Sequence, residues 1–386
     1  MDPLPPIAGF RSFWQAGFES ASHINGRGVR VDMIAATQHV EQAAGDYARI
    51  RRAGFQVARE GVRWPLVERR GGYDFSSVTP IIAAAAAHDV QVLWTLCHYG
   101  WPHDLDLFSP AFVERFARYC AAFARFLRAS SDEIPYVVPI NEISFLAFAA
   151  GQVGWFHPFA RERGGEAKAQ LVRAAIAGIE AIRAVEPRAR IIHVDPVINV
   201  VSANTLPATV ALARRQTESQ FEAWDWLAGR ARPELGGHPR YLDIVGANFY
   251  HDNQWDTASA RLDWAASPRD PRWLPLHQML ERVSRRYGRP LFLAETSHVG
   301  VGRGAWLREV AQETQVAQAR GVAIAGITLY PILDRPDWHD PEHWHHSGLW
   351  DLVPDAQGQL QRVPVSEYME ALQSAQAALP AVPRPG

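Results

Sequence analysis

The stretch "VVPINEISFLAF", Val137 to Phe148, drives a short apolar run directly into Asn141 and Glu142. A buried strand that ends on a carboxylate has either reached solvent or delivered a charged group to a site. Which of the two applies depends on whether other strands end the same way at the same place. Eight strand-like runs recur along the chain: near 13–22 ("FWQAGFESAS"), 55–64 ("FQVAREGVRW"), 90–99 ("VQVLWTLCHY"), 136–142 ("YVVPINE"), 190–197 ("RIIHVDPV"), 243–251 ("DIVGANFYH"), 291–297 ("LFLAETS") and 325–333 ("AGITLYPIL").

The connectors between them have helical spacing. In "SPAFVERFARYCAAFARFLRA", Ser109 suits an N-cap and Pro110 the first helical position, and Phe112, Phe116, Tyr119, Phe123 and Phe126 fall along one face. Glu166 to Val185 is an Ala-rich amphipathic run stopped by Pro187, and Trp273 to Tyr287 ends at Gly288 before Pro290. Strands alternating with helices imply a parallel sheet. Eight such units predict a single α/β domain folded as a (β/α)8 TIM barrel over residues 1–386. An open doubly wound sheet would need a Gly-x-Gly-x-x-Gly after the first strand, and none is present. Pro139 cannot donate a ladder hydrogen bond, so the fourth strand is expected to bulge or end early there.

In such a barrel the reacting groups sit at the C-terminal ends of the strands. Five predicted strand ends carry polar residues foreign to a core: Arg59, His98, Asn141 with Glu142, Asn248 with Tyr250, and Glu295. Glu142 ends the fourth strand and Glu295 the seventh, which sets two carboxylates across one mouth. Two carboxylates about 5 Å apart suit double displacement at an anomeric carbon. One attacks and holds the sugar covalently; the other protonates the leaving oxygen and then activates water. Arg59 beside Glu295 would keep it ionised, while a less solvated Glu142 would have its pKa raised toward neutrality. Asn141 is placed to bind a sugar hydroxyl and Tyr250 to steady the nucleophile.

These residues resemble glycoside hydrolase family 1, the β-glycosidases of the large (β/α)8 clan. "TLCHYGWPHDL" (Thr95 to Leu105) is similar to the family's Thr-Leu-Tyr-His-Trp-Asp-Leu-Pro segment, and "AREGVRWPLV" (Ala58 to Val67) to its Tyr-Arg-Phe-Ser-Ile-Ser-Trp-Pro segment. "PINEI", "VGANFYH", "LAETS", "YPILDRPDW", "SGLWDLV" and "RVPVSEY" resemble further family segments in order, so the likeness spans most of the chain. It implies Glu142 as acid/base, Glu295 as nucleophile, and Arg59 and Tyr250 as the groups holding Glu295. It also implies a sugar pocket of His23, His98, Asn141, Asn248, Tyr330, Asp337 and Trp338. Several positions depart from the family. His23 stands for Gln, Tyr330 for the stacking Trp, Asp337 for Glu, Tyr99 and Gly100 for Trp and Asp, and Ile143 for Pro. The expected activity is therefore a cofactor-free retaining β-glycosidase, exo-acting on a small β-linked glycoside. A transglycosidase, or an inactive sugar-binding protein on the same barrel, is the alternative.

Composition agrees with a large globular core. Of 386 residues 47% are hydrophobic, enough to bury about three quarters of the unfolded surface. With 39 Lys and Arg against 41 Asp and Glu and no basic block, a nucleic-acid partner is not expected. The start "MDPLPPIAGF" lacks the basic and apolar run of a secretory leader, and no long uncharged apolar stretch follows, so a cytoplasmic protein off the membrane is expected. Cys97 and Cys120 lie in apolar runs and read as buried thiols. Gly-x-Ser-x-Gly and P-loop motifs are missing, which removes serine-hydrolase and NTPase readings. "DWHDPEHWHHSG" (Asp337 to Gly348) carries His339, His343, His345 and His346. Pro341 and Gly348 make it a loop, so it is read as lining the substrate mouth with Trp338, Trp344 and Trp350; no metal is assigned. Trp101 and Trp155 are candidates for sugar stacking.

Overall fold

A computed structural model describes residues 9–379. The segment 1–8, on which most of the leader reading rests, lies outside the described residues. Eight parallel strands close into a barrel: β1 Trp14–Gly17, β2 Val57–Gly61, β3 Gln91–Cys97, β4 Tyr136–Ile140, β5 Arg190–Pro196, β6 Ile244–Asn248, β7 Leu291–Thr296 and β8 Ile324–Leu329. Each pairs with its sequence neighbour, and β8 returns to β1 through Trp14–Ile327 and Ala16–Leu329. The principal helices that follow successive strands are α1 Ala43–Arg52, α2 Thr79–Ala87, α3 Pro110–Ser130, α4 Gly164–Val185, α5 Pro207–Glu218, α6 Leu276–Tyr287, α7 Arg303–Ala319 and α8 Ser366–Ala378. This is the (β/α)8 barrel expected from the alternation.

Local chemistry sets the element limits. On α3, Phe112, Phe116, Tyr119 and Phe123 are buried on one stripe and Phe126 packs at its edge. Each fully buried Phe contributes about 1.5–3 kcal/mol. Ser109 occupies the N-cap in extended conformation, but its hydroxyl donates to Asp106 O at 2.8 Å and not to the helix. Pro275 is extended ahead of α6, which shortens the expected helix at its start, and Gly288 closes it in the left-handed region. In β4 the ladder toward β5 stops at Val137, two residues before Pro139, while pairing with β3 runs on to Ile140. The ladder is thus interrupted on the β5 side, where Pro139 has no N–H to donate, while the strand itself runs one residue past it.

Both cysteines are buried with free thiols, and burial pushes the Cys97 thiol up to about 12. Among the described residues no helix is long and apolar enough to cross a membrane.

Outside the barrel wall, a buried ionic cluster ties the chain's C-terminal part to α1. Arg362 donates from Nε to Asp46 Oδ1 at 2.7 Å and from Nη2 to Asp46 Oδ2 at 2.9 Å. His39 bridges Asp46 Oδ2 at 2.9 Å and Glu60 Oε1 at 3.0 Å. Burial alone would lower the imidazole, but Glu60 and Asp46 outweigh it and raise it from 6.5 to about 9. The stability it contributes is therefore full below pH 6.5 and lost as pH rises through about 9. Arg362→Met should cost about 3–5 kcal/mol by leaving Asp46 without its fixed cation. A urea midpoint lowered at unchanged m-value checks this; a cost below about 1 kcal/mol would show that His39 alone compensates Asp46.

Candidate active site

The strand ends converge as the barrel requires, beginning with Glu295. The register between β6 and β7 shifts between Leu293 and Glu295, which sets Glu295 opposite Asn248, the last residue of β6. Arg59, from β2, donates from Nη1 to Glu295 Oε1 at 2.7 Å and from Nε to Thr95 Oγ1 at 3.1 Å. Tyr250 Oη donates to Glu295 Oε2 at 2.8 Å. One carboxylate thus has each oxygen fixed by a different donor, one of them cationic. Arg59 is 1% and Glu295 4% exposed, so the ion pair acts where water screens it little.

Glu142 leaves β4 in the left-handed region (φ 45°, ψ 64°) and caps a short helix, Ile143–Leu146, that widens into a π-helical turn at Ala147–Gln152. A glutamate with positive φ stores strain of about 1–3 kcal/mol, which the surrounding packing must hold. Its backbone N–H donates to Val194 O at 3.2 Å, and its Oε1 accepts from Asn248 Nδ2 at 2.7 Å. Oε2 accepts from the Tyr99 hydroxyl, and Tyr99 is itself in the positive-φ region at 65°. Burial first, then the charge of Glu295, raises the Glu142 carboxyl from 4.5 to about 8, against the two hydrogen bonds that lower it. The two carboxylates are therefore electrostatically linked and differ in kind: Glu295 is paired with a cation and Glu142 with neutral donors.

Asn141 sits between them. Its Oδ1 accepts from Arg59 Nη2, and its Nδ2 faces His98 Nε2 at 3.2 Å and Tyr99 Oη at 3.1 Å. The amide is thus held by protein groups on every side. His98 Nδ1 meets Ser20 Oγ at 3.0 Å and Tyr330 Oη at 3.1 Å. The Tyr330 ring lies under the Arg59 guanidinium, 5.1 Å from its centroid, and against Gly17, where a Cβ would come within 2.1 Å of the ring. A larger residue than glycine at that position has no room.

His23 and Trp338 close another side. Their rings meet edge-on at 5.2 Å, and Tyr99 meets Trp338 in the same way at 5.7 Å. Both His23 nitrogens, Trp338 Nε1 and Asn248 Oδ1 are buried without a hydrogen-bond partner among the described residues. Burial and the nearby His339, Arg30 and Arg335 lower the His23 imidazole to about 3, so it is neutral and offers one donor and one acceptor.

Asp337 is not directed into this cluster. Its Oδ1 accepts from the His339 and Asp340 amides at 2.8 and 3.1 Å, and its Oδ2 faces His345 Nε2 at 3.0 Å. The carboxylate shapes its own loop. Trp101 is core, donating to Leu105 O at 3.0 Å, whereas Trp155 is half exposed against Phe148.

Two charged residues that the sequence reading missed complete the arrangement. Glu19, just beyond β1, is 7% exposed and accepts from the Ser20 and Ala21 amides at 3.0 and 2.9 Å. Its other oxygen lies 3.5 Å from Arg335 Nε, and Oε1 lies 3.7 Å from His98 Nε2. Burial raises the Glu19 carboxyl; Arg335 and the backbone donors oppose that rise. The site therefore contains three buried carboxylates and two arginines.

The polar groups of the site thus come from the strand ends of one closed (β/α)8 barrel. No protein-family model and no curated protein matches the sequence. Solved structures do match in fold. The family 1 β-glucosidase from Thermotoga maritima in complex with isofagomine lactam superposes with TM-score 0.76 at 16% identity, over 97% of this chain and 99% of that one. The β-glycosidase from Pyrococcus horikoshii gives 0.75 at 16% identity, over 98% and 97%. The AHE enzyme from Alicyclobacillus herbarius gives 0.73 at 18% identity, over 89% and 87%.

Proposed function

We propose that the chain is a retaining β-glycosidase that removes or transfers a terminal sugar from a small β-linked glycoside, using no metal or organic cofactor in the reaction. The observation that carries this reading is the unlike carboxylate pair. Glu295 is gripped by Arg59 and Tyr250, and Glu142 is kept largely protonated near neutrality. In the first step a Glu295 oxygen bonds to the anomeric carbon as the bond to the aglycone oxygen breaks, and Glu142 gives that oxygen its proton. In the second step Glu142 takes a proton from water or a sugar hydroxyl, that oxygen bonds to the anomeric carbon, and the Glu295 ester bond breaks.

The unpartnered atoms of His23, Trp338 and Asn248 are what a hydroxyl-rich ring would satisfy. Asn141 and His98, already bound to their neighbours, would act by holding Arg59 and Tyr330 in place. Tyr330, packed under Arg59 and against Gly17, would bound the pocket floor and keep Arg59 in place.

A sugar-binding protein without turnover is the second reading. It is favoured by Tyr99 and Asn248, which between them occupy both oxygens of Glu142. A 2-deoxy-2-fluoro glycoside bearing a good leaving group separates the two. The glycosidase reading expects a stable added mass of one fluoro-sugar, mapped to Glu295, while saturable glycan binding with no added mass across gluco, galacto, manno and xylo probes would leave the binding protein.

A further inference from the structure

Away from the dyad, the loop after β8 brings together three ligand-type side chains from separate places. Asp334 follows the barrel strand, His346 lies at the far end of the His-rich loop, and Asp351 lies on the hairpin strand Trp350–Pro354. His346 Nδ1 is 3.6 Å from Asp334 Oδ2 and 3.6 Å from Asp351 Oδ2. The three atoms lie within 4.8 Å of one another.

These separations are too long for hydrogen bonds. They match the edge of a coordination tetrahedron with ligand bonds of about 2.0–2.2 Å, which is ~3.3–3.6 Å. A second observation points the same way. Asp334 is fully buried, yet its Oδ2 has no hydrogen-bond partner, and a bare carboxylate oxygen in the interior is costly. The hydroxyl of the adjacent Ser347 is also buried and unpartnered.

The opposite oxygens are already oriented. Asp334 Oδ1 accepts from the Ser347 amide at 3.0 Å, and Asp351 Oδ1 accepts from Arg303 Nη1 at 2.7 Å. Outer hydrogen bonds of this kind aim carboxylates at a metal. The His346 side chain is 58% exposed, which leaves an entry path and room for a water as fourth ligand.

We propose that Asp334, His346 and Asp351 form a structural site for a divalent transition metal of the zinc type. The ion clips both ends of the loop that carries Arg335 and Trp338 to the hairpin behind it. This is independent of the glycosidase reading, because the ligands do not touch the dyad.

The test uses the full chain, freed of any histidine tag and stripped with chelator. Titration with Zn2+ should show one site per chain and a higher thermal midpoint. His346→Gly, which suits the positive φ of 52° at that position, should weaken the affinity at least about tenfold, while His343→Gln should leave it unchanged. Asp351→Asn, at a partly exposed position, provides a second variant expected to lose the site. The proposal is overturned if the stripped chain takes up no stoichiometric zinc, or if His346→Gly and Asp351→Asn bind it as the parent does.

Discussion

Glu295→Ala should lower kcat/KM on an aryl β-glycoside by about 10⁴-fold or more, a loss of ~5.5 kcal/mol or more in transition-state stabilisation. The size follows from what the substitution removes: the atom that forms the covalent bond in the proposed mechanism, and the anion that balances Arg59 in a buried site. The fold should persist, because Arg59 keeps Thr95, Ala294 O and Asn141 as hydrogen-bond partners. The decisive measurement adds azide. A small anion can enter the space left by the carboxylate, attack the anomeric carbon from the same side and give the α-glycosyl azide from a β-glycoside with a good leaving group. Parent-level turnover in Glu295→Ala, or an azide product of β configuration, would end the claim that Glu295 is the nucleophile.

Legibility of the site in the sequence follows how local each cause is. Glu142 and Glu295 terminate apolar runs, so their position at the barrel mouth can be read from strand-then-carboxylate alone. Arg59 and Tyr250 follow because a buried anion needs partners, and both donate to Glu295, at 2.7 and 2.8 Å. Glu19 was hidden because the run 13–22 reads as one strand, whereas the ladder ends at Gly17 and the chain then turns. Its partner Arg335 comes from the other end of the chain, a pairing no local pattern encodes. The family resemblance implies Asp337 in the sugar pocket, but an aspartate followed by free amides satisfies them locally, and here that competition wins. The His-rich loop shows the same dependence on distant partners. Spacing within 339–346 holds no metal set, and His346 finds its carboxylates in Asp334 and Asp351, one on either side of that loop.

Glu142→Gln should discriminate between substrates by leaving group. With an alkyl or sugar aglycone, which cannot depart as an anion, the rate should fall by about 10²–10⁴-fold. With a dinitrophenyl aglycone bond cleavage should be nearly unaffected, and release from Glu295 should become the slow step. The pH dependence carries the stronger test. Glu142 is an acid only while protonated, so kcat/KM of the parent should fall on the alkaline side near its raised value of about 8, and that limb should vanish in Glu142→Gln. Stability follows the same sign: a carboxyl held at about 8 in the fold and 4.5 in the unfolded chain favours folding least at high pH, with stability declining as pH rises between the two values. Glu142→Gln should flatten that decline. The Glu295 charge is the second cause of the raised value, after burial. In the proposed mechanism, converting Glu295 to an ester removes that charge, so the Glu142 pKa should drop when the covalent intermediate forms, and the group that gives a proton in one step becomes able to take one in the next. Titrating Glu142 by ¹³C NMR before and after fluoro-sugar labelling measures this directly. An unchanged or higher pKa in the labelled protein would mean that the two carboxylates do not share one reaction centre.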